Sequence, residues 1–350
     1  MLTLIPPGLQ SLAGAGMVVL HPAGDIAVQQ RDLIVVATVL MLLIIVPVIG
    51  LTLMFAWKYR ESNTKAVYLP DWHHSTRLEM VIWTAPLAII IVLGAITWKT
   101  THLLDPYRPI DRLAPGQPLA ANVKPLRVQA VALDWKWLFI YPDLGVATVN
   151  VLAAPVNVPI DFSITAGSVM NSFSVPALAG QVYAMPGMQT QLHAVINHAG
   201  DYQGFSANYS GAGFSGMRFR FQGLSQAAFN QWIGQARASG DQLSREAFLK
   251  LERPSESDAA HAYAAVDPGL YHDILNRCVD HGKMCADEMA RIDANGGLGL
   301  ANAGDVRALE YDKRERRGAT PGAAYVAALC APKAAAGTHV ALAASPVALK

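Results

Sequence analysis

Ser206-Ala207-Asn208-Tyr209-Ser210-Gly211-Ala212-Gly213-Phe214-Ser215-Gly216-Met217 runs straight into Arg218-Phe219-Arg220-Phe221-Gln222. The first part is rich in glycine and serine, the composition of a loop. In the second, Met217, Phe219 and Phe221 alternate with Arg218, Arg220 and Gln222, the period of a strand with one buried face. What the loop can hold is a question of donor atoms. A redox copper needs Cys thiolate, His nitrogen or Met sulfur. Met217 is the one such donor here. Ser206 and Ser210 keep their protons at neutral pH, Asn208 offers a hard amide oxygen, and Phe214 has no lone pair. The residues describe a metal-free loop.

The same period extends upstream. Ile160, Phe162 and Ile164 alternate with Asp161, Ser163 and Thr165, and Leu192, Ala194 and Ile196 alternate less cleanly. Turn residues separate the runs at short intervals. The pattern predicts an antiparallel β-sandwich or barrel over residues 126–223. His193 falls on the polar face of its strand and His198 precedes a turn, so both are assigned to the surface. The aromatic run Asp134-Trp135-Lys136-Trp137-Leu138-Phe139 opens this region, and Trp135 and Trp137 are expected to pack and dock.

Composition places a membrane before the sandwich. Of 350 residues, 52% are hydrophobic and 15% charged, too few charges for an ordinary soluble chain. A net charge of +1 gives no electrostatic case for nucleic acid. Leu33–Trp57 carries no charge and is long enough to cross a hydrocarbon core of about 30 Å, with Pro47 as a possible kink. Met80–Trp98 is a second uncharged run. Trp57, Tyr59, Lys58 and Arg60 have the character of an interface belt, as do Trp98 and Lys99. Lys58, Arg60, Lys65 and Arg77 in the connecting loop are matched by Arg31, Lys99, Arg108 and Arg112 outside, so charge alone leaves orientation open. Thr76-Arg77-Leu78-Glu79 has the form of a capping box, with Glu79 tied back to the Thr76 backbone. His73 and His74 are assigned to the loop. Residues 1–20 resemble a signal segment interrupted by Pro6-Pro7, and Ala13-Gly14-Ala15 fits cleavage after Ala15. Pro106, Pro109, Pro115, Pro118 and Pro125 predict a stiff, extended linker.

Residues 225–295 are expected to form a helical extension. Ser225 opens a helix in which Phe229, Trp232, Ile233 and Ala236 share one face, with Gly240 as its stop. Ser244–Leu251 is a second short helix, and Pro268 opens one reaching towards Asp293. Cys278, His281 and Cys285 would line one face of that helix, but no fourth metal ligand is evident. A Cys278–Cys285 disulfide requires the helix to break, since seven residues of helix hold the Cα atoms about 10 Å apart. Gly282 is a candidate break; otherwise either cysteine can pair with Cys330. Residues 296–350 are Ala- and Gly-rich and predicted to be a disordered tail.

Taken together, these residues resemble the cytochrome oxidase subunit II family with its copper ligands removed. That family holds a dinuclear copper centre with two cysteines four apart and a glutamate between them, then a histidine and a methionine. The cysteines fall on Ser206 and Ser210, the glutamate on Asn208 and the histidine on Phe214; Met217 is kept. An earlier family histidine falls on Asn171, in Asn171-Ser172-Phe173. This pattern of loss is similar to subunit II of the bo-type ubiquinol oxidases, and the resemblance covers roughly residues 15–290. It implies two transmembrane helices followed by a cupredoxin-like sandwich, in a bacterial inner membrane with both termini outside. It also implies ubiquinol oxidation, oxygen reduction to water and proton pumping. Haems, copper and ubiquinone would lie on the large subunit I, with subunits III and IV and membrane lipid as further partners. No cofactor or metal is expected on this chain. Glu79 would mark the mouth of a proton channel. A cytochrome c oxidase subunit II and a membrane-tethered cupredoxin-like binding or assembly protein are the competing expectations.

Overall fold

The computed structural model describes residues 18–67, 71, 73–120, 122–280 and 283–294. The expected signal segment up to residue 17, His281, Gly282, Cys330 and the expected tail at 296–350 lie outside the described residues. The chain divides into two units. One runs to Leu243 and includes Glu252–Val266; the other comprises Ser244–Leu251 and the chain from Asp267 onward.

The first unit opens with two long apolar helices, α1 (Asp25–Lys58) and α2 (Thr76–Leu103), both able to cross a membrane by length and composition. Their apolar side chains stay exposed, Leu53 by 65% and Trp83 by 77%, as lipid-facing groups do. Helix α1 starts ahead of the charge-free run at Leu33, so its first two turns stand outside the hydrocarbon. Pro47 is accommodated inside it. The capping box is not formed at the start of α2. Ser75 is the N-cap and makes no side-chain cap bond. The Glu79 amide donates to the Ser75 carbonyl at 2.9 Å. The Glu79 carboxylate turns instead to His74, 2.7 Å away.

The proline-rich segment after α2 is more folded than a spacer. It carries a small hairpin of β1 (Arg112–Ala114) and β2 (Gln117–Pro118), turned at Gly116 with φ +76°. Its first residue, Arg112, reaches Asp25. Asn197 donates to the Leu113 carbonyl at 2.8 Å.

The sandwich follows, from β3 (Leu126–Leu133), β4 (Lys136–Tyr141), β5 (Val146–Val149), β6 (Val151–Pro155), β7 (Pro159–Ala166), β8 (Asn171–Ser174), β9 (Gln181–Ala184), β10 (Thr190–Val195), β11 (Gly200–Ser206) and β12 (Arg218–Leu224). Among the described residues, β14 (His261–Tyr263) joins β10-β7-β3-β4-β5 to complete one sheet, and β6-β12-β11-β8-β9 forms the other. Pairing is mostly antiparallel, with parallel pairs β3–β7 and β6–β12. The alternation in the sequence is realised on β12: Phe219 and Phe221 are buried while Arg218 and Arg220 face out. Between the sheets Trp137, Phe139, Phe162, Phe173 and Phe219 form one aromatic cluster, its closest ring pair being Phe139–Phe219 at 5.0 Å. Such contacts add about 0.5–1.5 kcal/mol per pair beyond area burial. The buried Tyr141 hydroxyl donates to the Ala153 carbonyl and accepts from the Ala153 amide, each at 2.9 Å.

The chain just ahead of α1 is built into this sandwich. The Ala23 and Gly24 amides donate to the Ala177 carbonyl at 2.8 and 2.9 Å, and Asn197 donates to the Ala23 carbonyl at 2.8 Å. A Cβ at Gly24 would lie 2.5 Å from the Val195 carbonyl oxygen and 2.7 Å from that of Leu178, so the approach demands glycine.

After the sandwich, α3 (Gln226–Arg237) is capped by Ser225, whose hydroxyl accepts from the Ala228 amide at 3.3 Å. Its face of Phe229, Ile233 and Ala236 is buried and Trp232 is partly so. Then β13 (Gln242–Leu243) pairs in parallel with β15 (Ala265–Val266). The returning segment is clasped by Lys136, only 2% exposed, which donates to the Arg253 carbonyl at 3.0 Å, to the Ser255 hydroxyl, and to Asp258 at 2.9 Å. Burial opposes ionisation of Asp258, but hydrogen bonds from Lys136 and Ser255 and the Lys136 charge outweigh it and hold the carboxyl below its usual range.

The second unit contains α4 (Arg245–Leu251), α5 (Leu270–Leu275) and α6 (Ala286–Ala294). The single helix expected from Pro268 towards Asp293 is therefore two. It breaks at Asn276 and Arg277, the latter at φ +58°. With the helix broken, Cys278 and Cys285 approach to a Cα separation of 4.8 Å and form a disulfide. Arg245 donates to Asp273 and to the Cys278 and Val279 carbonyls at 3.3 and 3.1 Å.

Candidate functional site

Strands β8, β11 and β12 are neighbours, so their ends bring Asn171, Ser206 and Met217 to one end of the sandwich. The Ala207 amide donates to the Ser172 carbonyl at 3.0 Å, and the Ser206 amide to the Met217 carbonyl at 3.1 Å. At the six positions singled out by the sequence, the polar groups engage one another. Ser206 Oγ donates to Asn171 Oδ1 at 3.0 Å, and the Asn171 amide donates to the Val169 carbonyl at 3.1 Å. Asn208 donates to the Met170 carbonyl at 3.2 Å. Ser210 Oγ lies 4.0 Å from the sulfur of the buried Met217. Phe214 turns its ring to Tyr209 with centroids 5.6 Å apart. A copper ion finds one soft donor in this set, and the Ser206 hydroxyl and Asn171 amide oxygen are hydrogen-bonded to each other. The residues present do not fit a copper centre.

Trp135 closes the loop from the side. It turns between β3 and β4 at φ +68°, a region that bulky side chains rarely occupy. Its indole N–H donates to the Ser210 carbonyl at 3.1 Å. Its ring lies where a Cβ on Gly213 would fall, 2.5 Å away, so that glycine leaves room for the indole. Trp137, two residues on, is fully buried in the aromatic cluster. Tyr209 stands 75% exposed at the loop tip, with Met170 and Val169 exposed beside it.

At the other end of the unit, Glu79 is about half exposed on the first turn of α2. His74 Nδ1 is 2.7 Å from its carboxylate, and His74 Nε2 is 3.2 Å from Thr76 Oγ1. The His74 partnership was not read from the sequence. The i, i+5 spacing spans the helix start and belongs to no helical periodicity. His193 is not a bare surface residue: its Nδ1 is 2.7 Å from Asp161 on the neighbouring strand β7. His198 contributes its carbonyl to the Tyr202 hydroxyl at 2.9 Å.

In the second unit, Asp273, Cys278 and Cys285 place their ligand atoms within 4.8 Å of one another, but the two sulfurs are joined as a disulfide. His272 lies between Asp273 at 3.3 Å and Asp287 at 2.8 Å. Hydrogen bonds to Asp273, then to Asp287, raise its pKa above the usual 6.5.

Two family models match the chain. Residues 144–223 match the cytochrome c oxidase subunit II periplasmic domain, and residues 237–282 match the COX aromatic rich motif. The chain is 49% identical over 271 residues to the cytochrome bo(3) ubiquinol oxidase subunit 2 of Pseudomonas aeruginosa, covering 77% of this chain and 79% of that one. It is 50% identical over 264 residues to the ubiquinol oxidase subunit 2 of Acetobacter aceti, covering 75% and 83%. To the quinol oxidase subunit 2 of Bacillus cereus it is 32% identical, covering 76% and 91%.

Proposed function

Since the chain belongs to the ubiquinol oxidase subunit 2 family, we propose that it serves its complex without holding the reacting cofactors. It is an inner-membrane protein with two membrane helices and a periplasmic β-domain, a subunit of the complex that oxidises ubiquinol and reduces oxygen. The observation that carries the reading of its role is the donor set at Asn171, Ser206, Asn208, Ser210, Phe214 and Met217. With one soft donor there, this domain has no means to receive an electron from a soluble carrier. Reducing equivalents then arrive as quinol from the lipid, and haems, copper and the quinol site belong to the large subunit I. Subunits III and IV complete the assembly. The exposed Tyr209, Met170 and Val169 offer an apolar face for docking against such a partner.

Glu79 is the proton entrance. A half-exposed carboxylate at the loop end of α2 is open to water, and His74 stands 2.7 Å from it. The cupredoxin-like domain spans 126–223, with 225–295 as its extension.

The test is purification of the complex from native membranes with metal analysis, optical spectra, and turnover on quinol against reduced cytochrome c. The expected result is a haem-containing large subunit, quinol turnover, and no copper assigned to this chain. Near-infrared absorption of a dinuclear copper centre in the isolated domain overturns the reading in favour of a cytochrome c oxidase subunit. Recovery of the chain without a haem-bearing partner would instead favour a free-standing tethered binding protein.

A further inference from the structure

A cavity of about 360 Å³ lies in the first unit, between the outer ends of α1 and α2 and the near edge of the sandwich. Its lining mixes charges of both signs with apolar groups. Arg108 and Arg112 face it, as do Asp105 and Asp111, and Leu103 and Val182 supply apolar wall.

The two ion pairs in it are not alike. Arg112 holds Asp25, whose side chain is 1% exposed, and this pair is part of the fold. Arg108 and Asp111 are 2.8 Å apart, but their side chains are 41% and 68% exposed. Such an exposed pair is worth about 0–1 kcal/mol, so a ligand carrying both signs can open it at little cost. Asp105 adds a further carboxylate, and the amides of Gln29 and Gln30 line the helix side.

Depth narrows the ligand. Asp25 lies eight residues ahead of the charge-free run at Leu33, about 12 Å along the helix axis, and Gln30 about 4–5 Å. Leu103 lies five residues beyond Trp98, about 8 Å. The polar layer of a leaflet is about 5–7 Å thick, so the cavity sits in and just above the headgroups. A quinol ring, drawn into the hydrocarbon with its tail, is too deep. Below the cavity, exposed apolar side chains of α1 and α2, such as Ile34, run into the hydrocarbon and provide a path for acyl chains.

We propose that this cavity binds a phosphoethanolamine group, held as the headgroup of an aminophospholipid. The phosphate meets the Arg108 guanidinium, the ammonium meets Asp111 and Asp105, and the acyl chains descend along the helix pair.

The test uses the assembled oxidase, exchanged into nanodiscs of phosphatidylglycerol with a minor share of phosphatidylethanolamine. Tightly held lipid is then counted by native mass spectrometry. The wild type retains phosphatidylethanolamine selectively, and the double variant Arg108→Gln/Asp111→Asn retains about tenfold less at equal quinol turnover and melting temperature. Asp105→Asn, which breaks no ion pair, is the second variant and weakens retention in the same direction. Excess soluble phosphoethanolamine separates the sources: failure to displace the lipid supports the headgroup assignment, and displacement overturns it in favour of a soluble ester. Equal retention by both variants and wild type overturns the proposal, as does phosphatidylglycerol or ubiquinone held in place of the aminophospholipid.

Discussion

Asp25 and Arg112 stand 87 residues apart in the chain, yet Arg112 Nε donates to Asp25 Oδ2 at 2.9 Å and its Nη2 to Oδ1 at 3.2 Å. Gln29 donates to the same carboxylate at 2.8 Å. The pair joins the first turn of one membrane helix to the segment that leaves the other. A bidentate guanidinium fits a carboxylate better than an ammonium does, so lysine is a poor substitute at position 112.

Arg112→Gln leaves the Asp25 carboxylate buried and without its cation. Breaking a fully buried pair costs about 3–5 kcal/mol. With Arg112 partly exposed, the expected loss is towards or below the low end of that range. Thermal unfolding and proteolysis of the intact complex will read it. The double variant Asp25→Asn/Arg112→Gln is expected to recover part of the loss, because no charge is then stranded.

Glu79→Gln removes a carboxylate that can lose a proton. Quinol turnover and proton uptake are both expected to fall several-fold, with haem content and assembly unchanged. His74→Asn, which leaves the carboxylate in place, is expected to fall less. Undiminished turnover and uptake in Glu79→Gln would remove the proton role.

Gly213→Val would drive a side chain into the ring of Trp135. The indole must leave the loop and give up its bond to the Ser210 carbonyl. A change in tryptophan emission of the complex is expected, together with a stability loss of about 1–3 kcal/mol from overpacking. Unchanged emission would mean that the indole does not rest on that glycine.

Cys285→Ser opens the bridge to Cys278. Closing a loop this short is worth about 2–3 kcal/mol on chain entropy. Protease cleavage is expected to rise between Leu270 and Ala294 while the sandwich stays resistant. Reductant should reproduce the effect in the wild type and leave the variant unchanged.

His272 makes the same unit sensitive to pH. Its folded pKa is raised above 6.5, by Asp273 first and Asp287 second. Protonated His272 therefore favours the folded unit, fully so below the unfolded value near 6.5. The contribution is lost as pH rises through the raised folded value. Hydrogen exchange in α5 and α6 is expected to quicken across that window beyond the intrinsic base dependence, and His272→Gln is expected to abolish the excess.

The membrane hairpin and the strand faces were legible because each rests on a repeated local signal. Leu33–Trp57 carries no charge, and Phe219 and Phe221 alternate with arginines. The donor set at Asn171, Ser206, Asn208, Ser210, Phe214 and Met217 could be read because donor chemistry belongs to residue types. Three features were not legible; two depend on distance in space and one on a local backbone turn. Nothing in the spacing of Asp25 and Arg112 announces their pairing. Glu79 satisfies the form of a capping box, but a histidine just ahead of the helix competes for its carboxylate and wins. The Pro268–Asp293 segment has helical composition, and propensity there is too weak a signal to reveal the turn at Arg277.

Ala23 and Gly24 are made well before Ala177 and Asn197, whose carbonyl and amide they meet. The outer domain is thus sealed by a piece of chain made long before its surroundings. Both helices must be threaded and the strands exported before that seam can close, so completion of the domain reports that insertion has succeeded.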